Sequence, residues 1–227
     1  MIAAAVERCR ARVSALANDA LAGARGEPEL VALLERVWAA IDEELAARTD
    51  GAPAPACGAG CASCCRVNVG TLPVEGAVAA ARVRALLGSA AAARLAADLG
   101  AFHDRVRWLE DRERFAQRLV CPFVDGGGRC SIHAARPLAC RGVTSLDADD
   151  CRRAVAPGDP DDDDGPLVRM DLLHRALHGE ALAALADAFA ARGLDAHRRD
   201  VSGMTAAFLA DPGLAAAFLA GRRVPLE

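Results

Sequence analysis

Eight of the nine cysteines in this 227-residue chain fall into two groups, Cys57-x3-Cys61-x2-Cys64-Cys65 and a wider set of Cys121, Cys130, Cys140 and Cys151. Thiolates this close in sequence converge on one ion with little loop-closure cost, and two such groups brought together complete a closed tetrahedral site or hold a cluster. Gly58 and Gly60 let the backbone turn tightly around a ligand, whereas the adjacent Cys64 and Cys65 are awkward for a single tetrahedral ion and suggest two metals or a polynuclear centre. Cysteines packed merely as small hydrophobes would follow helical periodicity instead of crowding loops. Cys9 does follow it, in step with Ile2, Val6, Val13 and Leu16, and reads as a core residue. The expected chemistry of the other eight is thiolate ligation of zinc or of an iron-sulfur cluster. Such a centre is structural or electron-carrying when fully ligated, and needs an open position for Lewis-acid catalysis.

A four-thiolate zinc site is an anion and must be neutralised if partly buried. Arg66, Arg129, Arg136, Arg141, Arg152 and Arg153 flank the cysteines and are candidate donors to sulfur. His133 could ligate, donate a hydrogen bond to a thiolate, or fill a packing position. His174 and His178 lie four apart on an expected helix, but without the glutamate of a zinc-protease helix they are not expected to form a site. His103 and His197 are isolated, and no hydrolase triad is recognisable from spacing. The run Asp161–Asp164 lacks the alternating ligands of a calcium loop and reads as solvated.

The ordered pieces Cys57-Gly-Ala-Gly-Cys61-Ala-Ser-Cys64-Cys65, Cys121-Pro-Phe-Val, Gly128-Arg-Cys130-Ser-Ile-His133 and Arg136-Pro137-Leu-Ala-Cys140-Arg141 resemble the YkgJ-type cysteine-cluster family, a zinc- or iron-chelating domain. The resemblance runs from about Cys57 to Cys151. His133 stands where that family has an aromatic, usually tyrosine, and Cys151 corresponds loosely to a late cysteine often followed by proline. The resemblance implies metal chelation and no particular reaction. A relative, the flagellin lysine methylase group, joins a similar motif to an iron-sulfur centre and methyl transfer from S-adenosylmethionine. The helical flanks here contain no separate methyltransferase domain and no glycine-rich cofactor loop, and likeness of fold is weak ground for activity.

The elements that must position these groups are mainly α, helices flanking a loop-rich cysteine-metal core. Ile2 to Leu16 shows one helical face; a second helix starts near Pro28 and carries Leu30, Leu34, Val37, Ile41 and Leu45. A helix over Val74–Leu87 is entered through Thr71 and Pro73 and closed by Gly88. Another is expected over Ser89–Leu119, with a break near Gly100 and a stripe of Leu95, Leu99, Phe102, Val106 and Leu109. Periodicity vanishes from Cys121 to Cys151, so this stretch needs something besides apolar burial to hold it, and without metal it is expected to be locally disordered. Helices follow over Leu167–Arg192, Val201–Ala210 and Pro212–Ala220. The expected division is an N-terminal helical segment 1–50, a cysteine-cluster domain 51–156, and an acidic loop with C-terminal helices over 157–227 packed on it.

Every one of the 27 basic residues is arginine, which excludes Schiff-base chemistry and a phosphate-loop lysine. Net charge is −4, with eight aspartates between Asp147 and Asp164, and gives no nucleic-acid signature. No secretory start and no long uncharged apolar run is visible, so a soluble cytoplasmic protein without membrane association is expected, in a compartment where clustered thiols bind metal. The expected partner is the metal ion or cluster, and the sequence names no protein partner. Three roles follow: a structural or sensing metal module, an iron-sulfur enzyme of modification chemistry, or a helical adaptor with a stabilising metal.

Overall fold

A computed structural model describes residues 2–48, 51–156 and 166–226, so Asp161–Asp164 lies outside the described residues. The fold is mainly α. Helix α1 (Ile2–Gly23) packs on α2 (Glu27–Ala46) and on α7 (Leu172–Ala190), and the long α3 (Pro73–Val106) packs on α8 (Val201–Ala210). Shorter helices α4 (Asp111–Ala116), α5 (Leu138–Gly142), α6 (Ala148–Ala154) and α9 (Leu214–Leu219) complete the body. Two two-residue strands, β1 (Gly70–Thr71) and β2 (Arg199–Asp200), pair antiparallel with Gly70 opposite Asp200, fastening the entry of α3 to the entry of α8.

Helices α2, α3, α7 and α8 start where the chain supplies an acceptor for their free N–H groups. Glu29 accepts from Gly26 N at 3.0 Å at the head of α2, and Pro28 sits in its first turn. Asp171 accepts from His174 N at 3.1 Å and Asp200 from Ser202 N at 3.0 Å, starting α7 and α8. At α3, Pro73 is the first residue and Glu75 reaches back to Leu72 N at 2.8 Å.

One apolar core joins these helices. On α1 the buried stripe is Ala5, Cys9, Val13 and Ala17, with Ile2 exposed, so the face turns slightly from the one read in the sequence. Cys9 is fully buried, its Sγ 3.8 Å from the Leu177 carbonyl, and burial raises its pKa to about 11. Leu30, Leu34, Val37 and Ile41 are buried as their spacing predicts, against Leu177, Leu185 and Phe189. Helices α3 and α8 approach closely because small residues meet large ones. A Cβ on Gly76 would lie 2.2 Å from Met204 Cγ, and one on Gly203 2.5 Å from the His103 ring.

At Gly88 (φ 70°) the backbone leaves helical geometry as expected, and a second helical stretch follows at once, so α3 is two helices joined across a kink. Three other expected boundaries differ. Gly100 does not break the helix, and the backbone stays helical through it. The helix stops instead after Val106, and α4 begins where Glu113 accepts from Glu110 N at 2.7 Å. Helix α7 starts at Leu172, since Asp171 caps it and Leu146 N binds the Arg169 carbonyl at 2.9 Å, holding the preceding segment extended.

Candidate metal centre

The first cysteine group occupies a loop of tight turns. Cys61 N binds the Gly58 carbonyl at 3.1 Å, Gly60 sits at φ 87°, and Ser63–Arg66 form a single 3-10 turn that carries Cys64 and Cys65. The second group is laced onto it by backbone: Cys121 N donates to the Cys65 carbonyl at 2.8 Å. The chain then makes a narrow hairpin in which Val124 bridges Cys130. Asp125 Oδ1 accepts from Gly127 N and Arg129 N, both at 2.9 Å, and shapes the triple-glycine turn.

At the tip of that turn the two loops touch. Gly128 has φ 74°, and a Cβ there would lie 2.6 Å from the Gly60 carbonyl oxygen. Gly128→Ala is therefore expected to force apart the loops bearing Cys61 and Cys130. The expected cost is roughly 1–3 kcal/mol, from positive-φ strain plus the backbone clash. Paired thermal melts of the two proteins check it, with Gly126→Ala as control, since nothing lies within 4 Å of the Cβ position at Gly126.

Cys140 comes from α5, whose first N–H, that of Leu138, donates to Glu75 Oε1 at 2.6 Å. Cys151 sits on α6, capped by Asp147. Between them Ser145 N donates to Cys57 Sγ at 3.4 Å, and the Ala56 N–H binds the Ser145 carbonyl at 2.8 Å, drawing the start of the first loop to the end of the second.

These turns surround one cavity of about 830 Å³. Cys57, Cys61, Cys64, Cys65, Cys121, Cys130 and Cys140 all line it; Cys151 does not. Cys151 nonetheless lies within electrostatic reach of Cys57 and Cys61, with a hydrogen bond from Ser145 opposing the rise that burial gives its pKa. All nine cysteines are free thiols. Among the described residues no three Cys, His, Asp or Glu side chains already stand at ligating separation, so the thiols ring the cavity without having closed on a point.

Three of the thiols, those of Cys64, Cys121 and Cys140, are pushed strongly toward the neutral form. A hydrogen bond with Cys65 and then burial push Cys64 far up; burial raises Cys121 to about 11 and, with the neighbouring charges of Cys121 and Cys64, lifts Cys140 well above the ordinary thiol range. Crowded buried thiolates are tolerated when a cation compensates them. Thiophilic ions and clusters match this donor set, and these seven residues could hold one.

Of the six arginines flanking the cysteines in sequence, only Arg129 and Arg136 line the cavity. Arg141 stacks on Trp38, 4.0 Å from the ring centroid, and donates to the Ala134 and Arg136 carbonyls. Arg152 and Arg153 pair with Asp149 and Asp150 along α6, where their i, i+3 spacing puts the acids nearer than the thiols. Arg66 faces a separate surface hollow.

His133 is exposed at the cavity wall, with the Arg136 charge depressing its pKa. His174 and His178 stack at 4.4 Å instead of converging on an ion; His178 lines the cavity as a neutral ring, its pKa lowered to about 4 by burial. His103 is buried beside Asp200, Nδ1 to Oδ1 3.7 Å, and His197 binds Asp195 at 2.9 Å.

Sequence reading overlooked Glu75, Arg175 and Arg198. Glu75 is 1% exposed, and burial raises it to about 7 against the pull of its two backbone N–H donors. The Pro-x-Glu start of α3 was the available signal for its capping role. Arg175 and Arg198 line the cavity from the C-terminal third, where no motif announces them.

No curated protein and no solved structure matches the chain. Residues 56–155 match the family model CxxCxxCC, described as a putative zinc- or iron-chelating domain. The matched residues 56–155, which hold every cysteine of the cavity wall, are similar to the CxxCxxCC zinc- or iron-chelating domain.

Proposed function

We propose that the protein carries a thiolate-bound zinc or iron-sulfur centre in this cavity, held by Cys57, Cys61, Cys64, Cys65, Cys121, Cys130 and Cys140, with Cys151 as an outlying eighth donor. The convergence of seven thiols from two distant segments on one cavity carries the reading. A single tetrahedral ion takes four thiolates, so seven favour more than one metal ion or a cluster. The cysteine domain is taken as residues 51–156, with the flanking helices as its scaffold. Free thiols throughout suit a reducing compartment such as the cytoplasm. No helix of the described residues is long and apolar enough to cross a membrane.

When bound, a fully ligated centre supplies structure or electron transfer, and one with an open position supplies a Lewis acid. The chain's own residues set the rest: Asp125 and Gly128 shape the loop under Cys130, Glu75 anchors α5 beneath Cys140, and Ser145 draws Cys57 and Cys151 together. A second reading, an iron-sulfur enzyme of modification chemistry, is favoured by the size of the cavity, which falls within the roughly 300–1,000 Å³ usual for small-molecule sites.

The test is elemental analysis and an ultraviolet-visible spectrum on protein purified without oxygen. Iron with labile sulfide and a brown chromophore supports a cluster; colourless protein with more than one zinc per chain supports a zinc module. Protein without stoichiometric metal refutes the proposal.

A further inference from the structure

Acidic side chains outnumber basic ones in this chain, 31 to 27, yet among the described residues the cavity wall holds four arginines and no carboxylate. Arg129 is answered by Asp125, Nε to Oδ2 3.1 Å. Arg136, Arg175 and Arg198 have no ion pair among the described residues, although arginines elsewhere pair readily, as Arg8 does with Glu44 and Arg36 with Asp19. The Nε of Arg136 is buried without a hydrogen-bond partner, a state that costs free energy unless something outside the chain supplies an acceptor. Among the described residues, the side chain of Arg175 donates to the weak acceptor Met170 Sδ, at 3.3 Å. The acid close enough to Arg198 to feel its charge, Glu75, has both oxygens occupied by the Leu72 and Leu138 N–H groups.

The three guanidinium groups come from separate segments: Arg136 just ahead of α5, Arg175 on α7, and Arg198 just ahead of β2. Two of them lie outside the family-matched stretch 56–155. The same cavity is also lined by the apolar Val67, Val69, Phe123 and Leu182. Guanidinium groups bind carboxylate and phosphate through paired N–H donors, and an apolar wall beside them accepts a hydrocarbon body.

We infer that the cavity binds a small organic anion, a carboxylate or phosphate monoester with a short apolar body, through Arg136, Arg175 and Arg198. The inference rests on the proposed centre only in leaving the thiol wall to the metal. The C-terminal helices thereby determine what reaches the cysteines, and the cysteine domain alone does not.

The rival role for these arginines is neutralisation of the thiolate centre, and metal content separates the two. Full-length protein, isolated without oxygen and assayed for metal, is titrated calorimetrically with hexanoate, hexyl phosphate, 1-hexanol and hexylamine. One or both anions are expected to bind saturably, their relative affinity identifying the preferred head group, and the alcohol and amine are not. Arg175→Gln and Arg198→Gln, both at exposed positions, are each expected to weaken anion binding about ten-fold or more, as loss of a charge-assisted hydrogen bond implies, with metal per chain unchanged. Arg36→Gln is expected to change neither. Absence of anion binding to metal-loaded protein, affinities untouched by both substitutions, or loss of metal in the variants would overturn the inference. A preparation without metal would defeat the centre proposed above, while its anion affinities would still decide this site.

Discussion

Cys140→Ser and Cys64→Ser are each expected to deplete the isolated protein of metal, whereas Cys9→Ala should leave its metal content at the level of the unaltered chain. Both target thiols line the cavity, one from each cysteine group, and each is electrostatically coupled to sulfurs of the other group. A serine hydroxyl does not ionise at neutral pH and is a poor partner for a thiophilic ion. The loss in affinity should exceed the roughly 10- to 100-fold seen when only a residue supporting a ligand is removed. Cys9 lies in the helical core, so its truncation should lower stability by about 1 kcal/mol and touch no metal. Cys151→Ser should give an intermediate loss, because Cys151 is near Cys57 and Cys61 but does not line the cavity. Metal per chain, measured beside a thermal melt for every variant, distinguishes ligand loss from misfolding. Full metal occupancy in Cys140→Ser would remove that residue from the centre.

Chelation under reducing, oxygen-free conditions is expected to loosen residues 57–66 and 121–151 while much of the helical signal survives. A structural thiolate site contributes apparent binding free energies of ~10–16 kcal/mol, comparable to the whole stability of an ordinary domain. The cysteine loops have little else: their sulfurs are partly exposed, their turns are short, and only Phe123, Ile132, Ala135 and Leu138 anchor them in the core. The helices α1, α2, α3, α7 and α8 bury their own apolar faces against one another and need no metal for that. Hydrogen exchange before and after chelation should show protection lost first at the N–H groups of Cys121, Ser131 and Ala135, which bond within the cysteine loops. Simultaneous collapse of α2 and α7 would mean that the metal holds the whole body, and unchanged protection in the loops would mean that it holds neither.

Helix periodicity located the main helices because their apolar faces repeat at helical spacing whatever the neighbours, as Leu30, Leu34, Val37 and Ile41 illustrate. Boundaries were less legible. Gly88 and Gly100 carry the same propensity and both have open space at the Cβ position, yet one sits at a kink and the other inside a regular helix, so residue type alone does not place a break.

The mainly α class, the burial of Cys9 and the likeness of the cysteine segment to a zinc- or iron-chelating domain were all legible in the sequence, since each rests on residue types at short spacings. Tertiary structure alone decided which thiols share a cavity and which arginines face it. Arg175 on α7 and Arg198 just ahead of β2 reach the cavity from far along the chain, while Arg141, Arg152 and Arg153, beside the cysteines in sequence, turn to Trp38, Asp149 and Asp150. A long charged side chain goes to the partner that packing brings within reach, and adjacency along the backbone does not specify that partner.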